Sequence, residues 1–117
     1  MKRTVLIVDD HPVFRTSARR MLEAEGYEVI GEAEDAQSAF SAVRDLNPDV
    51  VLLDVQLPDL DGFDVASRIT GDADCPDVVL TSSRDSSDFG PLIVRCGARG
   101  FVPKSELSGR AMAEILG

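Results

Sequence analysis

Six chemistry-bearing residues close apolar runs in this sequence. Asp9 and Asp10 follow Val5–Val8, and Asp54 follows Val50–Leu53. Thr81 and Ser82 follow Val78–Leu80, and Lys104 comes two residues after Val102. Taken singly, each has a plain structural role. Asp9 and Asp10 suit a helix cap ahead of Pro12, and Asp54 suits a strand-closing turn. Thr81 is an ordinary β-branched strand residue, and Lys104 an ordinary solvated lysine. Taken together they suggest more. Three crowded carboxylates repel one another, and a hard divalent cation relieves that repulsion. So few carboxylates suit Mg²⁺ with retained waters, with Mn²⁺ as an alternative ion. A carboxylate beside such an ion and an ammonium is a phosphoryl acceptor: its oxygen attacks phosphorus while both cations neutralise the phosphoryl oxygens.

The elements that must bring these residues together are readable as an alternation. A strand over Val5–Val8 precedes a helix carrying Val13, Phe14, Ala18, Met21 and Leu22, closed by Gly26. Tyr27–Gly31 reads as a short strand. Asp35 then caps a helix with Ala36, Ala39, Phe40, Val43 and Leu46 on one face. Val50–Leu53 is a strand, and a loop from Gln56 to Gly62 leads to a helix with Val65, Ala66 and Ile69. Val78–Leu80 is a strand. A weak helix bears Leu92, Ile93 and Cys96, Phe101-Val102 is a short strand, and Ser108 caps a last helix. Five strands alternating with five helices imply a parallel sheet with right-handed crossovers. The uniformly apolar first, third and fourth strands belong inside it. The second and fifth, shorter and more mixed, suit its edges. The order 2-1-3-4-5 satisfies this, and in such sheets function gathers at the C-terminal strand ends.

The 117 residues are enough for one domain, 1–117, and 44 % apolar content supports a packed core. A net charge of −9 disfavours direct binding to nucleic acid or anionic lipid. No apolar run approaches the roughly 20 residues of a membrane span. Asp9 and Asp10 cut the N-terminal apolar run too short for an export signal. Cys75 and Cys96 form no metal or disulfide motif, so ordinary reduced thiols and a cytoplasmic location are expected.

The whole chain resembles the receiver domain of two-component response regulators. The resemblance rests on VLIVDDHPVFR at 5–15, DVVLLDVQLPDLDGFDVA at 49–66, VVLTSS at 78–83 and GARGFVPKSEL at 97–107. DDHPVFR is most similar to receivers of regulators with a LuxR-type helix-turn-helix. The resemblance implies a flavodoxin-like doubly wound (βα)5 fold, with Asp54 as phosphoacceptor. It implies Mg²⁺ held by Asp10, with Asp9 nearby acting through water, by Asp54 and by the backbone carbonyl of Gln56. Lys104 would contact the phosphoryl group and Thr81 would be the switch hydroxyl, with Ser82 beside it. Phe101 would take the aromatic switch position, and Pro58 and Gly62 would shape the loop. The partner would be a sensor histidine kinase or phosphotransfer protein, and the role one of signalling rather than enzymatic turnover. A homodimer formed on phosphorylation is a candidate output, read from the face of the fourth helix, fifth strand and last helix.

Some residues depart from the family pattern. Phe101 lacks a phenolic hydroxyl, so inward rotation would be driven by packing. Gly90-Pro91 shortens the fourth helix to a start near Phe89 or Pro91. Pro103 precedes Lys104, where many relatives carry a proline after the lysine. His11 is read as structural beside Asp10, and Arg84 as solvated or leaning toward the phosphoryl group. Two other classes compete. An aspartyl-phosphate phosphatase of the haloacid-dehalogenase type would need a second acid at position 56, where Gln56 stands. A phospho-independent interaction module with the same fold would usually have lost one of the acids or the lysine. The sequence leaves open a stand-alone receiver and the N-terminal piece of a longer regulator.

Overall fold

The computed structural model describes residues 2–72, 74–83 and 89–117. The elements run β1 (Thr4–Val8), α1 (Pro12–Ala24), β2 (Glu28–Ala33), α2 (Ala36–Leu46), β3 (Val50–Asp54) and α3 (Gly62–Ile69). They continue with β4 (Asp77–Ser82), α4 (Gly90–Arg95), β5 (Gly100–Pro103), a 3-10 turn over Lys104–Glu106, and α5 (Gly109–Leu116). All strand pairings are parallel, in the order β2-β1-β3-β4-β5. The expected doubly wound sheet is therefore the observed one.

The two faces of the sheet follow from side-chain alternation along each strand. Val5, Ile7, Val50, Leu52, Val79 and Val102 pack with Leu22 of α1 and Met112 of α5. Leu6, Val8, Val51, Leu53, Val78 and Leu80 pack with Ala39 of α2 and Val65 and Ile69 of α3. Fully burying one such aliphatic side chain is worth about 2 kcal/mol. The inner strands thus supply the stability that lets charged groups sit buried at their C-terminal ends.

Local signals explain most boundaries. Asp35 forms a reciprocal capping box with Ser38, its carboxylate accepting from the Ser38 amide at 2.8 Å. Ser108 caps α5 by accepting from Ala111 N–H at 3.0 Å. Gly26, at φ +94°, ends the α1 turn in a conformation that favours glycine. The short fourth helix follows from Pro91, which opens it in place of an N–H donor.

Two expectations about strands are corrected. β2 is the edge strand expected, but it is not the short stretch Tyr27–Gly31. It has six residues and begins at Glu28, because pairing with β1 carries it on to Ala33. Between Val5 and Leu6 the register shifts, so β2 accommodates Ile30 as an extra residue. β4 runs past Leu80, and Thr81 and Ser82 are strand residues paired with Val102 and Pro103. Leu46, expected on the buried face of α2, remains 43 % exposed at the helix end. Arg84 lies outside the described residues.

Candidate functional site

The same alternation that builds the core builds the site. Positions 5 and 7 of the first strand, 50 and 52 of β3, 79 of β4 and 102 of β5 face α1 and α5. Counting on by two reaches Asp9, Asp54, Thr81 and Lys104. The site is therefore the polar continuation of one apolar face, at the C-terminal ends of its strands.

The acids are not helix caps. α1 begins with His11 at its cap and no side-chain cap bond. Asp9 is fully buried, and its Oδ1 accepts from the His11 backbone N–H at 2.8 Å. Its other oxygen, Oδ2, lies 2.7 Å from Lys104 Nζ, a charge contact outside hydrogen-bond alignment. Lys104 Nζ also donates to Asp54 Oδ2 at 3.3 Å. One ammonium thus bridges two buried carboxylates, and it lies 4.5 Å from the centroid of the Phe14 ring. Asp10 is the open member, with 37 % of its side chain exposed. Arg15 fastens the strand end by donating to the Asp9 carbonyl at 2.6 Å and to Glu32 at 3.0 Å.

Asp54 is buried at the end of β3, and its Oδ1 accepts from Gln56 N–H at 3.0 Å. Burial pushes its carboxyl above the ordinary carboxylate range, and the neighbouring Asp9 charge adds to this. The Gln56 amide and Lys104 pull the other way. The net direction is upward, so the charged form of Asp54 costs more here than it does in water. An added cation would relieve that cost. The donor set fits one: oxygens of Asp9, Asp10 and Asp54 and a ring nitrogen of His11 all lie within 4.8 Å of one another.

Thr81 completes the crevice. It sits in register beside Asp54, fully buried, and its hydroxyl has no hydrogen-bond partner among the described residues. An orphaned buried hydroxyl costs about 1–3 kcal/mol, so its retention suggests a ligand or state that completes it. Ser82, next along β4, is also buried.

The loop after β3 is tied at both ends. Gly62 N–H donates to the Val55 carbonyl at 2.8 Å, and Gln56 bridges Asp61. A side chain at Gly62 would collide with the Asp54 carbonyl and the Val55 backbone, so glycine is required by close approach. Gln56 and Pro58 face solvent. Asp59 reaches across to α2, accepting from Ala36 N–H at 2.8 Å and Gln37 N–H at 3.2 Å. Those bonds hold its carboxyl below the usual range.

Phe101 is half-buried in β5 and does not reach the acids. Its ring packs 5.6 Å from Phe89, which packs 5.4 Å from Phe63 of α3. Sequence places Phe14 on the first helix and Phe89 near the start of the fourth, but no local pattern links Phe14 to Lys104, Phe89 to Phe63 and Phe101, Arg15 to Glu32 or Asp59 to Ala36. Among the described residues no peptide bond is cis, so Lys104-Ser105 is trans.

The fold agrees with comparisons to known proteins. The family model for the response regulator receiver domain matches residues 5–115. The chain is 38 % identical over 106 residues to the virulence-factor transcription regulator BvgA of Bordetella pertussis, a match covering 91 % of this chain and 51 % of that protein. It is 35 % identical over 122 residues to the transcriptional regulatory protein PdtaR of Mycobacterium tuberculosis, covering 97 % of this chain and 60 % of PdtaR. Among solved structures, a LuxR-family response regulator from an Aurantimonas species superposes with a TM-score of 0.86 at 30 % identity, covering 97 % of this chain and 81 % of that one. The receiver domain of a NarL response regulator from Mycobacterium tuberculosis gives 0.84 at 31 % identity, covering 99 % and 98 %.

The chain belongs to the response regulator receiver family of two-component signalling. It spans about half the length of the curated relatives BvgA and PdtaR. Among the described residues, no helix is long and apolar enough to cross a membrane.

Proposed function

We propose that the chain is a phosphorylation-controlled switch with Asp54 as acceptor. A phosphohistidine on a sensor kinase or phosphotransfer protein would be the donor. The observation that carries this reading is Lys104 Nζ held between Asp9 and Asp54, facing the space a phosphoryl group would enter. An Asp54 carboxylate oxygen attacks phosphorus, the O–P bond forms, the donor N–P bond breaks, and the imidazole leaves. Asp10, Asp54 and the Gln56 carbonyl, with Asp9 near, would hold Mg²⁺, which would supply charge neutralisation at the phosphoryl oxygens. Lys104 moves its contact from Asp54 to a phosphoryl oxygen. Thr81 gives its hydroxyl hydrogen bond to the new group, and β4 carries that displacement toward Phe101. Output is then a change on the α4–β5–α5 face, with a homodimer or an effector as its reader. A cytoplasmic location accords with a kinase donor.

The test is labelling by a small phosphodonor such as acetyl phosphate with Mg²⁺. Stoichiometric, Mg²⁺-dependent incorporation is expected, with complete loss in Asp54→Asn. Labelling that persists at full stoichiometry in that variant overturns the assignment. The protein should not turn over a generic phosphomonoester, since its chemistry ends at its own carboxylate.

A further inference from the structure

His11 has no part in the acceptor chemistry above, yet its ring lies in the acidic cluster. Nδ1 is 3.0 Å from Asp9 Oδ1 and 3.0 Å from Asp10 Oδ1. Adjacent ligands of a six-coordinate ion at about 2.1 Å also lie about 3.0 Å apart. The ring nitrogen thus lies at ligand spacing from the Asp10 oxygen, and equally close to the Asp9 oxygen that would act through water. The loop is pinned in place. The His11 backbone N–H is bonded to Asp9, and Arg15 holds the Asp9 carbonyl. A second, independent feature points to an incoming group. Two fully buried oxygens at this crevice, Asp9 Oδ2 and Thr81 Oγ1, have no hydrogen-bond partner among the described residues, and of the two only Asp9 Oδ2 has Lys104 as a charge neighbour.

We propose that His11 ligates the divalent ion through Nδ1, which rests on the reading of the acidic cluster as a metal site. Carboxylate and water ligands suit Mg²⁺, whereas imidazole suits first-row transition ions. One nitrogen in an oxygen shell therefore tilts the site from Mg²⁺ toward Mn²⁺. Ligation requires Nδ1 to offer its lone pair, with Nε2 carrying the ring hydrogen. With 66 % of the His11 side chain exposed, its replacement leaves the core untouched.

The test uses untagged protein and Mn²⁺ as the probe. His11 is the only histidine in the chain, so ¹⁵N-histidine labelling assigns any nitrogen coupling in pulsed electron paramagnetic resonance. Coupling from one histidine nitrogen is expected in the wild type and absent in His11→Ala. Calorimetric titrations should show Mn²⁺ affinity falling at least about tenfold in His11→Ala, with a much smaller change for Mg²⁺. Bound Mn²⁺ without histidine coupling overturns the proposal and leaves the acidic site standing. So does an unchanged Mn²⁺-to-Mg²⁺ preference in the variant. If Asp10→Asn and Asp54→Asn bind both ions as the wild type does, the acidic site itself is wrong and this inference falls with it.

Discussion

The two halves of the crevice are built differently. On the β1–β3 side, Asp9 and Asp54 are buried, bridged by Lys104 and fixed by the Gln56 amide; Arg15 anchors the strand end. On the β4–β5 side, Thr81 is buried with an unused hydroxyl. Below it α4 has six residues, no side-chain cap bond and no fully buried residue. The acid half holds charge in place by opposing contacts. The β3 and β5 ladders hold the Thr81 backbone, but its hydroxyl has no partner among the described residues, so a new acceptor at Asp54 would gain a bond there without breaking one. That asymmetry suits a switch, in which one side must stay put while the other moves.

The comparison can be broken most strongly at Lys104. Removing it leaves two buried carboxylates without a counter-charge, and Lys104→Ala should lose about 3 kcal/mol in chelator. Millimolar Mg²⁺ should restore most of that in urea titrations, because the variant keeps the oxygens that bind the ion. A variant as stable as wild type without metal would mean the acid half is not held by charge. Next comes Gly62→Ala. Its methyl group collides with backbone at Asp54 and Val55, so a loss of about 2 kcal/mol and weaker Mg²⁺ binding are expected together. Unchanged metal affinity would uncouple the loop from the site.

Thr81→Val sharpens the other half. It deletes an unpartnered buried hydroxyl at nearly constant shape, so stability should rise by about 1 kcal/mol. Labelling at Asp54 should persist, while any beryllofluoride-induced change in sedimentation disappears. A stability loss would show the hydroxyl already has a role at rest.

The smallest effect is the pH dependence of Asp54→Asn. The Asp54 carboxyl titrates above its unfolded range, chiefly through burial. The folded protein then keeps a proton that the unfolded chain has released, so stability falls as pH rises through that interval. Without metal, Asp54→Asn should melt above the wild type at pH 7. The gap should close as pH drops toward the unfolded carboxylate value of about 3.9. A constant gap from pH 4 to 7 would contradict the burial effect. The Gln56 and Lys104 contacts oppose that effect, which keeps the difference modest.

Much of this molecule is determined by sequence alone. Alternating apolar runs and helical patterns specify the strand order, because parallel strands need crossovers and inner strands need two covered faces. Asp35 and Ser108 announce their helices, since a cap is satisfied within three residues. Asp9, Asp54, Thr81 and Lys104 are legible as one group, because period-2 alternation sends strand-end residues to a predictable side. What local pattern does not carry is decided by tertiary structure. The six-residue β2 comes from its register against β1. Asp59 capping α2 from 23 residues away, Phe89 between two other rings, and Lys104 shared by two acids all depend on segments meeting in space. His11 shows the division most clearly. Its position beside two acids is plain in sequence, but only the folded loop sets its ring nitrogen 3.0 Å from an oxygen of each. Spacing along a chain fixes which residues are near, whereas ligand geometry is fixed by the backbone that turns them toward a common point.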